Sequence, residues 1–132
     1  MSEENVEIVR QLLEHWKRGD WRGGRELVDD DCEVVFSTSW FPDAGAYSVG
    51  REALRAWINF TEAWEEFEVG VEQIVGTGEH VVTLVRLRGR GRASGVDVDA
   101  EVGAVFALRD GKIVRYELTD RQEALEAAGL RE

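Results

Sequence analysis

The carboxylate with the clearest chemical potential is Asp120, which follows Val114, Tyr116 and Leu118 at alternating positions of one strand. If a bulge at the preceding Asp110-Gly111 turn puts this set on a cavity wall, Asp120 could act as a general acid or base with Tyr116 on the same wall. The two lie about 13 Å apart at 3.3 Å per residue, so they would address opposite ends of a ligand rather than share a proton. A competing role for Asp120 is structural: Asp120 with Glu123 three residues on reads as a capping box. His15, near the end of the first helical segment, suits a helix C-terminus when protonated, and His80 follows a turn and is expected in solvent. Cys32 has no motif partner and reads as a small buried residue. No Cys/His cluster has zinc-ligand spacing, so neither metal nor cofactor is expected.

A second chemistry is binding. Trp16, Phe36, Trp40, Trp57, Phe60, Trp64 and Phe106, with Thr83 and Leu118, are enough large and inward-facing side chains to wall a pocket for a small hydrophobic or aromatic molecule. The alternative is a filled core with a protein-interaction role. The 132 residues carry 16 Lys+Arg against 27 Asp+Glu, a net charge of −11, which argues against nucleic acid or an anionic membrane as partner. The length favours one domain over residues 1–132. A single cysteine, an acidic N-terminus and the lack of a membrane-length apolar run lead us to expect a cytoplasmic protein.

The elements that must position these groups follow from periodicity. Val6, Val9, Leu12, Leu13 and Trp16 make one apolar face of a helix that starts at Ser2 and stops at Gly19. Asp20 to Val28 reads as a second, shorter helix, and Asp29-Asp30-Asp31 as a solvated turn before a strand over Glu33–Ser37. Thr38 to Gly50 reads as a loop rich in bulky apolar residues. A helix over Arg51–Glu66 carries Leu54, Trp57, Ile58, Thr61 and Trp64 on one stripe. Four strands in a meander follow, over Phe67–Thr77, His80–Ala93, Val96–Arg109 and Lys112–Thr119, and a last helix runs from Asp120 to Ala128. Pairing the middle strands across a tight Ser94-Gly95 turn sets Arg92, Arg90 and Arg88 opposite Asp97, Asp99 and Glu101. That makes one charged face, which with Val105 suits a dimer contact, and one apolar face.

The ordered set His15-Trp16-Lys17-Arg18-Gly19-Asp20, Val49-Gly50-Arg51-Glu52-Ala53-Leu54, Leu108-Arg109-Asp110-Gly111-Lys112-Ile113-Val114 and Asp120-Arg121-Gln122-Glu123-Ala124-Leu125 resembles the SnoaL-like, polyketide cyclase-like group of the nuclear transport factor 2-like superfamily. The resemblance implies an α+β cone, a curved and mostly antiparallel sheet wrapped around N-terminal helices with a short C-terminal helix. It also implies dimerisation through the convex sheet face. Its isomerases would place a base at Phe36, a tyrosine at Leu12 and a second acid at Ala104; its cyclases would place a carboxylate at Leu118 and a histidine at Ala104. None of these groups is present, nor is an aspartate pair bridged by arginine as in its epoxide hydrolases. The leading function is therefore small-molecule binding, for which the resemblance implies a setting in secondary metabolism. The alternatives are an isomerase, cyclase or hydrolase built on Asp120 and Tyr116, or the filled interaction module.

Overall fold

The computed structural model describes residues 2–36 and 46–129. Helix α1 (Ser2–Lys17) carries Glu3 and Glu4 in its first turn and Lys17 in its last, charges that complement the helix dipole at both ends. It ends before Gly19, which takes φ 76°. The second helix expected over Asp20–Val28 does not form: the segment is a series of turns with a single 3₁₀ turn at Arg25–Leu27. Two adjacent glycines explain the difference, because Gly24 adopts φ 80° and any side chain at Gly23 would collide with the His15 ring and the Asp20 carboxylate.

Strand β1 (Val28–Phe36) absorbs the acidic triplet expected to be a turn, with Asp30 and Asp31 exposed along it. Within the segment expected to be a loop, residues Ala46–Val49 form strand β2, antiparallel to β1. The backbone N–H of Gly50 continues that ladder by donating to the Cys32 carbonyl at 2.9 Å, which seats the start of α2 (Arg51–Glu62) beside β1. Strands β3 (Trp64–Thr77), β4 (His80–Gly91), β5 (Asp97–Arg109) and β6 (Lys112–Asp120) make the meander, and α3 (Arg121–Ala127) ends the described chain. The sheet order is β2-β1-β6-β5-β4-β3, with β1 and β6 parallel and every other pair antiparallel.

Helix α2 stops four residues earlier than its apolar stripe suggests, so Trp64 lies on β3 rather than on the helix. Pairing of Trp64 with Gly91 and Glu65 with Arg90 wins these residues for the sheet, and a register shift before Glu68 bends the strand at Glu66, which has φ 52°. The last turn of α2 has no basic residue of its own. Arg92 supplies the cap from a distance: its Nε donates to the Glu62 carbonyl at 2.7 Å and its backbone N–H to Ala63 at 3.0 Å.

That engagement also accounts for the register between β4 and β5. Arg90, Arg88 and Arg86 stand opposite Asp97, Asp99 and Glu101, two residues from the pairing expected with a tight Ser94-Gly95 turn. Residues 92–96 form a longer connection instead, closed by the Gly91 N–H donating to Val96 O at 3.0 Å. A shift of two preserves the strand faces. The charged face is therefore intact, with Arg86 Nε donating to Asp99 at 2.6 Å and Arg90 Nε to Asp97 at 2.9 Å.

On the opposite face, Val81, Thr83, Val85, Val102, Ala104, Phe106 and Leu118 pack against Val9, Leu12, Leu13 and Trp16 of α1 and Ala53, Trp57 and Phe60 of α2. A smaller cluster of Val82, Leu84, Ala124 and Leu125 fixes α3 to the outer face, with Val105 against it. The close approach depends on Gly103, where a Cβ would run into the Cβ of Ala124. Asp120 is the N-cap residue of α3, with extended backbone at φ −69° and ψ 149°, yet its side chain makes no cap hydrogen bond. The expected capping box is not closed: Glu123 instead accepts from the Thr119 hydroxyl at 2.5 Å.

Candidate functional site

The helix-covered face of the sheet divides into a packed half and an open half. In the packed half, Phe36 and Phe60 have ring centroids 5.6 Å apart, Phe60 meets Trp64 at 6.2 Å, and Trp64 stacks on Phe67 at 6.1 Å. Gly89 lies flat beneath Trp64 and Phe67, where even a methyl group would be crowded. Thr83 is fully buried and donates its hydroxyl to the Ala104 carbonyl at 3.1 Å. Leu118, 1% exposed, pairs with Ala104 on β5 and Phe36 on β1. The space left in this half is a void of about 10 Å³ touching Leu13, Trp16, Trp57 and Phe60.

The open half holds a cavity of about 390 Å³ between the end of α1, the turns after it, β1, the start of α2, and the centres of β5 and β6. Its inner wall is Leu12, Trp16, Trp57, Phe106, Ile113 and Tyr116. Trp16 and Trp57 are in close ring contact, with centroids 4.4 Å apart, and both meet Tyr116 edge-on at 5.7 and 5.6 Å. Phe106 lies 5.0 Å from Tyr116 across the β5–β6 ladder. Such tilted and edge contacts hold large rings in place with little rotamer freedom, which keeps an apolar wall from collapsing inward.

A bulge makes Ile113, not Val114, part of this wall. Ala107 pairs with Arg115 and Leu108 with Ile113, so Val114 is an extra residue turned to the other face. The expected bulge is therefore present, but inside β6 rather than at the Asp110-Gly111 turn, which is a tight turn with φ 52° and 78°.

The rim is polar: Arg22, Arg25, Asp29, Asp30 and Arg51 surround the cavity with Trp21, Val28 and Leu54. His15 supports this rim from behind, its Nδ1 lying 3.0 Å from Asp20 Oδ2 under the Gly23-Gly24 turn. His80 is exposed at the start of β4. Cys32 reaches the cavity from β1, where burial, Asp29 and Glu33 together push its thiol up to about 11. Burial also pushes the Tyr116 phenol well above its ordinary range, so at neutral pH it is a hydrogen-bond donor. No described residue forms a hydrogen bond with that hydroxyl, although Tyr116 is only 7% exposed. The indole N–H groups of Trp57 and Trp64 are buried without a partner among the described residues.

Of the residues singled out in the sequence, Trp16, Trp57, Phe106 and Tyr116 meet at this cavity. Phe36, Phe60, Trp64, Thr83 and Leu118 belong to the packed half, and Trp40 lies outside the described residues. Asp120, paired with Val102 further along β6, does not line the cavity. Sequence reasoning missed Trp21 and the rim arginines. The turn-forming Gly23-Gly24 and the helix start after Gly50 were the available signals, since both place neighbouring side chains at an element boundary. Among the described residues no group of acidic, His or Cys side chains is arranged to hold a metal ion, and no helix is long and apolar enough to cross a membrane.

Comparison with known proteins agrees with this architecture. No curated protein matches the sequence. An NTF2-like protein from Burkholderia pseudomallei K96243 superposes with a TM-score of 0.75 at 20% identity, covering 95% of this chain and 97% of that one. A Jannaschia sp. CCS1 protein assigned to the SnoaL-like polyketide cyclases is 25% identical, with a TM-score of 0.69 over 96% of this chain and 92% of its own. TerC, co-crystallised with polyporic acid, is 16% identical, with a TM-score of 0.73 over 95% and 97% of the two chains. The model for the SnoaL-like domain matches residues 9–116, from the apolar face of α1 to the tyrosine in the cavity wall, and the chain thus belongs to the SnoaL-like family.

Proposed function

We propose that the chain binds a small hydrophobic, ring-bearing molecule in the cavity between α1, α2 and the sheet. The observation that carries this reading is an aromatic-walled space of about 390 Å³ with a few polar groups at its rim. Small-molecule sites typically enclose about 300–1,000 Å³ and share that composition. A protein-interaction module with a filled core would leave no such space. Co-crystallisation of TerC, a protein of the same fold, with polyporic acid is in keeping with a small-molecule ligand.

A catalytic form of the same reading rests on Tyr116, a protonated phenol in the wall that could polarise a ligand oxygen. Asp120 does not line the cavity, so an isomerase, cyclase or hydrolase reading rests on Tyr116 and not on that carboxylate. Titration with neutral aromatic ketones should quench or shift tryptophan emission saturably, because Trp16, Trp21 and Trp57 all line the space. A response that stays linear in probe concentration across a broad panel would overturn the binding reading.

The outer sheet face supports a homodimer. Its arginines and carboxylates alternate across β4 and β5, and Arg121 of α3 extends the network to Glu72 at 3.2 Å and Glu101 at 3.7 Å. Such a mixed-charge surface is self-complementary about a two-fold axis. Light scattering at micromolar concentration should report about twice the 14.9 kDa monomer mass. A mass that stays monomeric as concentration rises would remove the dimer.

A further inference from the structure

The rim of the cavity is charged in the sense opposite to the rest of the chain. Arg22, Arg25 and Arg51 face Asp29 and Asp30 there, three cations against two carboxylates, in a protein of net charge −11. On the sheet, Arg86, Arg90, Arg115 and Arg121 each have a carboxylate oxygen within 2.6–3.2 Å. Arg25 and Arg51 have no ion-pair partner among the described residues, and Arg22 has only a 3.9 Å contact between exposed groups with Glu62. Asp29 is occupied locally, accepting from the backbone N–H of Asp31 at 2.9 Å.

Two further features point the same way. Helix α2, 12 residues long, begins on the rim at Gly50 and Arg51, and its glycine N-cap has no side chain with which to cap the first amides. Those amides and the dipole behind them favour negative charge. Deeper in the same cavity, the Tyr116 side chain is buried and its hydroxyl has no partner among the described residues. A phenol facing the cavity can donate to an oxygen of a molecule held there.

We propose that the cavity selects a ring-bearing carboxylate, the acid held at the rim by Arg25 and Arg51 and a second, neutral oxygen accepting a hydrogen bond from Tyr116. This rests on the binding reading above and narrows it to a substrate class. Guanidinium recognises a carboxylate through two parallel N–H···O bonds, which a neutral ester cannot reproduce. The aromatic wall takes the ring whatever the charge of the acid.

The test is calorimetric titration at low ionic strength with three probes sharing one ring system: methoxycinnamate, its methyl ester and the corresponding cinnamyl trimethylammonium. The acid should bind at least about tenfold more tightly than the ester, with an advantage that shrinks as salt screens the rim. The double variant Arg25→Gln/Arg51→Gln, at two exposed positions, should bring the acid down to the affinity of the ester and leave the ester unchanged. Tyr116→Phe should instead weaken acid and ester by the same factor. Equal affinity for acid and ester, or tighter binding of the ammonium compound, would overturn the anion preference while the cavity-binding reading stands. Absence of saturable binding by all three probes would overturn both.

Discussion

Replacement of Phe106 with alanine should destabilise the protein by about 3–5 kcal/mol, as measured by the shift of a urea unfolding curve. Phe106 is fully buried at the centre of β5, in ring contact with Tyr116 at 5.0 Å and Trp16 at 6.3 Å. Two effects add. The ring's transfer free energy is lost, and the neighbours cannot close over the gap, because one side of Phe106 already borders the cavity and the rings of Trp16, Trp57 and Tyr116 brace one another. The truncation should therefore enlarge the existing cavity, and a bulkier aromatic probe should recover part of the lost stability on binding. A cost below about 1 kcal/mol would mean that the wall is soft and collapses into the vacated space.

Cys32 should react with a soluble thiol reagent about a hundredfold more slowly at neutral pH than an unperturbed cysteine. Its thiol, ordinarily at 9.0, is pushed up to about 11 by burial first and then by Asp29 and Glu33, and the thiolate is the reactive form. The rate should climb about tenfold per pH unit up to that value. The sign for stability follows from the same shift. Below pH 9 the thiol is protonated in folded and unfolded chains alike, and its contribution is fully present. Between about 9 and 11 the unfolded chain ionises while the folded one does not, so stability falls as pH rises through this window. Tyr116, raised for the same reason of burial, acts in the same direction at higher pH. Alkylation at the rate of a free thiol would show that the cavity wall around Cys32 opens to solvent.

The charged register between β4 and β5 illustrates what local pattern can and cannot specify. Alternation assigned every residue of the two strands to its face, because a side-chain period of two survives a register shift of two. The actual pairing depended on where Arg92 went, and that was decided by the uncapped end of α2, thirty residues earlier in the chain. The same competition explains Trp64. Its spacing continues a helical stripe, but the ladder to Gly91 draws it into β3. Asp120 shows the limit for caps: the signature places the residue correctly at the start of α3, while the side-chain bonds went to a neighbour, with Thr119 holding Glu123.

By itself the sequence determined three helices, the four-strand meander with its two faces, the α+β class and the family, since each is written in local periodicity, turn residues and their order along the chain. It also determined that large aromatic side chains would face the helices. Which of those rings wall a cavity and which fill a core was decided only by the tertiary structure. Phe36, Phe60 and Trp64 find partners within about 6 Å of one another, whereas Trp16, Trp57, Phe106 and Tyr116 brace one another around an open space. The rim was equally out of reach. Arg22, Arg25, Asp29 and Arg51 come from four separate places, the turns after α1, the 3₁₀ turn, the start of β1 and the first residue of α2, and nothing short of chain folding brings such groups together.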